Sequence, residues 1–121
     1  MTTLDSLKLP YTQFIDASGK LVRPLPRWAD DSAALISLYR AMLLTRRFDA
    51  KAVALQRTGR LGTFASSLGQ EAVSVGLASA MNPEDILLPS YREAGAQLWR
   101  GVTPEELLLY WGGDERGSDF A

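Results

Sequence analysis

Tyr91 and Arg92 stand side by side where the apolar run Ile86-Leu87-Leu88 ends. A phenol carries one O–H donor, and a guanidinium carries a rigid fork of N–H donors with a permanent positive charge. Their place at the tip of a short hydrophobic run is the first chemical question in this sequence. On the residues alone, the favoured reading is a surface tyrosine beside an arginine ion-paired with Glu93. A second group lies in RTGRLGTFASSLGQEA, where Gly59 and Gly62 frame Arg60-Leu61 among Thr58, Thr63, Ser66 and Ser67. Glycine lets a backbone approach a ligand closely, so this loop is a candidate binding segment. Its aromatic residue, Phe64, is expected from composition to plug a core.

The chain has no histidine and no cysteine. The commonest general base and metal ligand, the thiolate nucleophile and the cysteine zinc site are therefore excluded. Chemistry must come from carboxylates, arginines, hydroxyls, a bound cofactor or a partner chain. Thirteen basic residues against 14 acidic ones leave a net charge of -1, which gives no bulk attraction to nucleic acid or an anionic membrane. The segment MTTLDSLKLP lacks the basic leader and apolar stretch of a signal peptide. No apolar run approaches the ~20 residues that span a bilayer, so a cytoplasmic location is expected.

The elements that must position these groups follow from punctuation and period. Residues 1–30, broken by Pro10, Pro24 and Pro26, are expected as an extended arm. Phe14-Ile15 and Leu21-Val22 flank the turn sequence Asp-Ala-Ser-Gly, which suggests a short hairpin there. Residues 31–121 are expected as the second region. A long helix runs from Asp31 to about Arg57, with Asp30, Asp31 and Ser32 as capping candidates. Its circumference is so apolar that it is expected to be mostly buried. On it, Arg46 and Asp49 lie three residues apart and are expected to pair. A small-residue helix follows from Gly69 to about Met81, ended by Asn82-Pro83. Ile86–Leu88 is expected as a brief buried strand, and Glu93–Arg100 as a third helix stopped by Gly101. Thr103-Pro104-Glu105-Glu106 opens a fourth helix, ending at Gly112-Gly113. A single strand buried on both faces needs neighbours, so the chain is expected to be the first part of a longer protein.

The stretch YRAMLLTRRFDAKAVALQRTGRLGTFASSLGQEAVSVGLASAMNPEDILLPSYREAGAQLWRGVTPEELLLYWGG resembles the N-terminal part of the α subunit of 2-oxo-acid dehydrogenase E1 components. These are the thiamine-diphosphate-dependent decarboxylases of pyruvate, branched-chain 2-oxo-acid and acetoin dehydrogenase complexes. The likeness rests on Arg-Arg-Phe-Asp, Gly69-Gln70-Glu71-Ala72, Asn82-Pro83-Glu84-Asp85 and Tyr91-Arg92, in the family's order. It implies an α/β thiamine-diphosphate-binding fold, mostly helical in the part present. It implies that Tyr91 and Arg92 reach the cofactor diphosphate beyond the end of the strand, and that Phe64 and Ala65 help shape the acyl or thiazolium pocket. The mammalian pyruvate-type subunits carry a histidine where Ala65 stands.

The family's magnesium ligands, an Asp in Gly-Asp-Gly and a later Asn, have no match in Gly113-Asp114-Glu115. By the resemblance Mg2+ is held outside this segment, and the carboxylate that activates the cofactor comes from the E1 β subunit of an α2β2 assembly. No catalytic residue is therefore assigned in this chain. The reaction implied is oxidative decarboxylation of a 2-oxo acid, pyruvate by default, with acyl transfer to a lipoyl domain of E2. Branched-chain or acetoin chemistry is the alternative. A non-catalytic helical module, docking through Phe48, Leu55 and the Gly69 helix, is the reading from a different class.

Overall fold

The computed structural model describes residues 10–118. The first residues of the expected arm and the last three of the polar tail lie outside the described residues. The chain divides into two compact units, Met1–Ala34 and Leu35–Ala121.

In the first unit the turn sequence folds as expected. Ile15 and Leu21 form an antiparallel bridge, and the Val22 N–H donates to the Phe14 carbonyl at 2.9 Å. The Asp16 carboxylate nucleates the turn by accepting from the N–H groups of Ser18 and Lys20, each at 2.9 Å. A 3-10 turn follows at Arg27–Asp30.

Four helices follow: α1 (Ser32–Arg57), α2 (Glu71–Ser79), α3 (Ala94–Trp99) and α4 (Pro104–Gly112). Asp31 caps α1, its Oδ1 accepting from the N–H groups of Ala33 and Ala34. This satisfies donors that the helix start leaves open. Thr103 and Glu106 form a reciprocal capping box at α4, with Pro104 in the first turn. Gly101 and Gly113 take the left-handed backbone, at φ 102° and 74°, that ends α3 and α4.

The core gathers Phe48 and Ala52 of α1, Leu61 and Phe64 of the following loop, Ala94 of α3 and Leu107 of α4. Leu107 is almost fully buried, which contributes ~2 kcal/mol. The small residues of α2 serve close packing against α3, where Ser74, Val75 and Ala78 face Ala94, Gly95 and Ala96 as buried positions. A Cβ on Gly95 would lie 2.3 Å from the Ser74 Oγ and 3.0 Å from the Thr45 Oγ1. Only a residue without a side chain allows that approach. A 3-10 turn at Glu115–Ser118 folds back on α4 at Gly117.

Three expectations are corrected. Ile86–Leu88 is not a strand: the segment is coil, with Ile86 84% and Leu88 89% exposed. Among the described residues no second strand offers it a hydrogen-bonding partner, and a lone extended segment gains nothing from pairing. The part present is helical, without named strands among the described residues. Second, α1 is not mostly buried. Its buried residues are Thr45, Phe48, Asp49 and Ala52, whereas Leu35, Ile36, Tyr39, Leu43 and Leu44 are exposed. Only its later half is covered by the loop and core described here. Third, Phe48 is no docking residue, because it is buried at the centre of that core.

Candidate functional site

The site is built on the loop between α1 and α2, residues 58–70. Elements on several sides hold it. Phe48 meets Phe64 edge-on with ring centroids 6.0 Å apart, and Trp111 of α4 meets the same ring at 5.1 Å. Edge-to-face aromatic pairs add roughly 0.5–1.5 kcal/mol beyond area burial. Phe64 thus plugs the core and also presents its ring to a cavity.

That cavity, of about 320 Å3, is lined by Phe64, Ala65, Ser90, Tyr91, Tyr110 and Trp111 among others. Three of the four sequence-predicted residues, Phe64, Ala65 and Tyr91, therefore share one wall-lined space. Arg92 does not line it. Its guanidinium lies over the Tyr91 ring, with Cζ 5.2 Å from the centroid, and Nη1 donates to the Ser66 carbonyl. The neighbouring Glu93 is not its partner. Glu93 accepts from the N–H and hydroxyl of Ser90 instead, at 2.5 and 2.6 Å.

Tyr91 is exposed at the cavity mouth, and the Nε and Nη2 groups of Arg92 donate to no group among the described residues. The donor set therefore fits an oxyanion. A metal fits less well. Among the described residues no cluster of three or more acidic, His or Cys side chains could hold one. Asp114 is engaged by Arg116, which donates from Nε at 2.9 Å and Nη2 at 2.7 Å. That guanidinium holds the Asp114 carboxyl down at about 2.

The carboxylates of α1 and α2 behave differently from the sequence expectation. Arg46 and Asp49 do not pair. Arg46 donates from Nε to Glu71 Oε1 at 2.5 Å, and the Gly69 N–H donates to the same oxygen at 3.2 Å. The hydrogen bond from Arg46, ahead of the Gly69 and other backbone contacts, lowers the Glu71 carboxyl to about 2 against the desolvation that opposes it. Asp49, 3% exposed, instead accepts from the Ser66 hydroxyl and the Ser67 N–H, both at 2.7 Å. Arg46–Glu71 thus joins α1 to α2, and Asp49–Ser67 ties the loop between them to α1. Sequence reasoning missed Asp49 in this role and missed Tyr110 and Trp111 in the cavity wall. The run Leu107–Trp111 signalled a helix but not which face would meet Phe64.

Comparison with known proteins fits this arrangement. The family described as "Dehydrogenase E1 component" matches residues 39–119, which include α2 to α4 and the whole cavity wall. The chain belongs to the dehydrogenase E1 component family. Pyruvate dehydrogenase E1 component subunit alpha of Mycoplasma genitalium is 40% identical, over 99% of this chain and 34% of its own length. The subunit of the same name from Acholeplasma laidlawii is 42% identical, over 85% of this chain and 30% of its own length. The mitochondrial 2-oxoisovalerate dehydrogenase subunit alpha 2 of Arabidopsis thaliana is 35% identical over 80% of this chain and 24% of its own length. The chain spans about a third of the length of the bacterial relatives just named. In this dehydrogenase E1 chain, no helix among the described residues is long and apolar enough to cross a membrane.

Proposed function

We propose that this chain forms the aromatic wall and the diphosphate donors of a thiamine-diphosphate-dependent 2-oxo-acid dehydrogenase E1 α subunit. The observation that carries the reading is the gathering of Phe64, Ala65 and Tyr91 around one cavity, with Arg92 stacked on Tyr91. It occurs in a chain whose relatives are named as pyruvate dehydrogenase E1 α subunits. When bound, thiamine diphosphate supplies the carbon nucleophile and electron sink for loss of carbon dioxide from a 2-oxo acid.

The residues present do the holding. The Tyr91 hydroxyl and the Arg92 fork donate to diphosphate oxygens, the guanidinium adding charge that a neutral donor lacks. Phe64 and Trp111 exclude water from the cavity, which strengthens every polar contact inside it. Ala65 leaves room for an acyl group and makes no polar contact with it. Mg2+ finds no ligand cluster among the described residues, and no step is assigned to it. The complete binding fold is α/β, this chain being one helical part of it, with residues 1–30 as an arm and residues 31–121 as part of the cofactor domain.

Pyruvate is the substrate favoured by the relatives' names, with a branched-chain 2-oxo acid second because of the 2-oxoisovalerate relative. The partners are an E1 β subunit in an α2β2 heterotetramer and the lipoyl domain of E2, in the cytoplasm. Exposed Tyr39, Leu43, Val73 and Leu77 on α1 and α2 supply apolar surface for subunit contact. The reading is tested by assembling the full-length α subunit with its β subunit and measuring thiamine diphosphate affinity. Tyr91→Phe and Arg92→Gln each weaken binding, by roughly tenfold for the charged contact. Wild-type affinity in both variants refutes it.

A further inference from the structure

We propose that Asp49 is a positioning residue for Arg92, acting through the single peptide group that joins Ser66 to Ser67. The inference rests on the diphosphate reading only for what Arg92 finally holds.

The two ends of that peptide are gripped from opposite sides. Asp49 Oδ1 accepts from the Ser67 N–H at 2.7 Å, and Arg92 Nη1 donates to the Ser66 carbonyl. The N–H and C=O of a trans peptide point in opposite directions in one rigid plane. Fixing the N–H therefore fixes the direction of the carbonyl that seats the guanidinium. The carboxylate also holds the Ser66 side chain, whose hydroxyl donates to Oδ2 at 2.7 Å. Both carboxylate oxygens are committed to this one turn of loop.

The chain of groups is polar in one sense throughout. A buried anion faces the N–H end and a cation faces the C=O end, so each charge strengthens the hydrogen bond made by the other. Arg92 reaches across 26 residues of sequence to the loop and Asp49 across 18. Neither is a local turn contact. One nitrogen of Arg92 is spent on the carbonyl, which aims the remaining N–H groups instead of leaving a four-bond side chain to find its ligand. Phe48, the residue before Asp49, packs on Phe64. One turn of α1 thus sets both the cavity wall and the adjoining cation.

The test uses the assembled full-length enzyme with inorganic pyrophosphate as probe, in wild type, Asp49→Asn, Arg92→Met and the double variant. Binding is followed by calorimetry. Asp49→Asn is expected to weaken pyrophosphate by roughly tenfold, the size of one hydrogen bond to a charged group. The double variant is expected to bind no more weakly than Arg92→Met alone, because Asp49 acts only through Arg92. Wild-type affinity in Asp49→Asn, or losses that multiply in the double variant, overturns the proposal. If Arg92→Met binds pyrophosphate like wild type, the diphosphate reading falls, and the positioning claim is decided separately. Arg92 must then react faster with phenylglyoxal in Asp49→Asn than in wild type, read by peptide mass spectrometry; an equal rate overturns it. If Asp49→Asn does not assemble, the clamp is read from its other end. Arg92→Met must speed hydrogen exchange at the Ser67 amide, and unchanged exchange refutes the coupling.

Discussion

The Phe64 ring stands edge-on to Trp111 with centroids 5.1 Å apart and planes at 73°. Phe64 belongs to the loop and Trp111 to α4, so this pair fastens the cavity floor to the helix behind it. Removing either ring opens the cavity and uncouples the loop.

Phe64→Ala is expected to cost about 3–5 kcal/mol of unfolding free energy, as for other buried aromatic truncations. Trp111→Ala is expected to cost less, because Trp111 is only partly buried. The pair should show about 0.5–1.5 kcal/mol of coupling in a double-mutant cycle of denaturant melts. Additive losses refute a direct ring–ring contribution.

Arg46 and Glu71 are bonded to each other but differ in exposure, with side chains 51% and 9% accessible. Losing Glu71 leaves a guanidinium that water can solvate. Losing Arg46 leaves a carboxylate in a poorly solvated place, held by backbone N–H groups, Gly69 among them, and by no cation. Arg46→Met is therefore expected to lower the melting temperature more than Glu71→Gln does. Equal losses in thermal melts contradict this.

The same pair sets an acid limit. The folded-state carboxyl of Glu71 lies at about 2, below its ordinary 4.5. Its contribution is therefore complete above about pH 4.5 and is lost as the pH falls toward 2. Glu71→Gln has no such group to protonate. Its melting temperature should fall less steeply than that of wild type across this window, as followed by circular dichroism. Parallel slopes show that the ion pair does not set acid sensitivity.

Gly95→Ala puts a methyl 2.3 Å from the Ser74 Oγ, which is held by the Gln70 and Glu71 carbonyls. The expected loss is about 1–3 kcal/mol, typical of overpacking. Adding Ser74→Ala removes the closest atom and should return part of that stability. No recovery in the double variant points to the Thr45 contact, at 3.0 Å, as the obstacle.

Gly117→Ala meets backbone instead of side chain, its Cβ falling 2.0 Å from the Tyr110 N. No rotamer change relieves that clash. The 3-10 turn at Glu115–Ser118 is expected to leave α4, with faster hydrogen exchange there and little change in α2. Wild-type protection of the turn excludes this docking.

Much of the helical frame was legible because its signals are local. Asp31, Thr103 with Glu106, Gly101 and Gly113 act within one turn of the residues they cap, and each behaves as its type and place imply. The turn at Asp16–Gly19 was legible for the same reason. The contacts of the loop between α1 and α2 were not. Asp49 finds its partners 17 and 18 residues away and Arg46 finds Glu71 25 residues away. Helical spacing of three residues suggested that Arg46 and Asp49 would satisfy each other, but α2 offers Arg46 a better partner and the loop offers Asp49 one. Ile86–Leu88 misled for another reason. Its apolar side chains mark a β segment only where other strands are at hand, and strand pairing is a property of neighbours and not of the segment.

That exposed segment has a consequence for handling the chain. Bare isoleucine and leucine beside unpaired amides form a template for self-association into cross-β aggregates. Pro83 and Pro89 bracket it, and proline cannot donate to a growing ladder. Arg100 adds a tether, its guanidinium donating to the carbonyls of Asn82, Pro83 and Asp85. The two imino acids and the tether act as gatekeepers. Their loss should raise thioflavin-positive deposition before it alters the fold elsewhere.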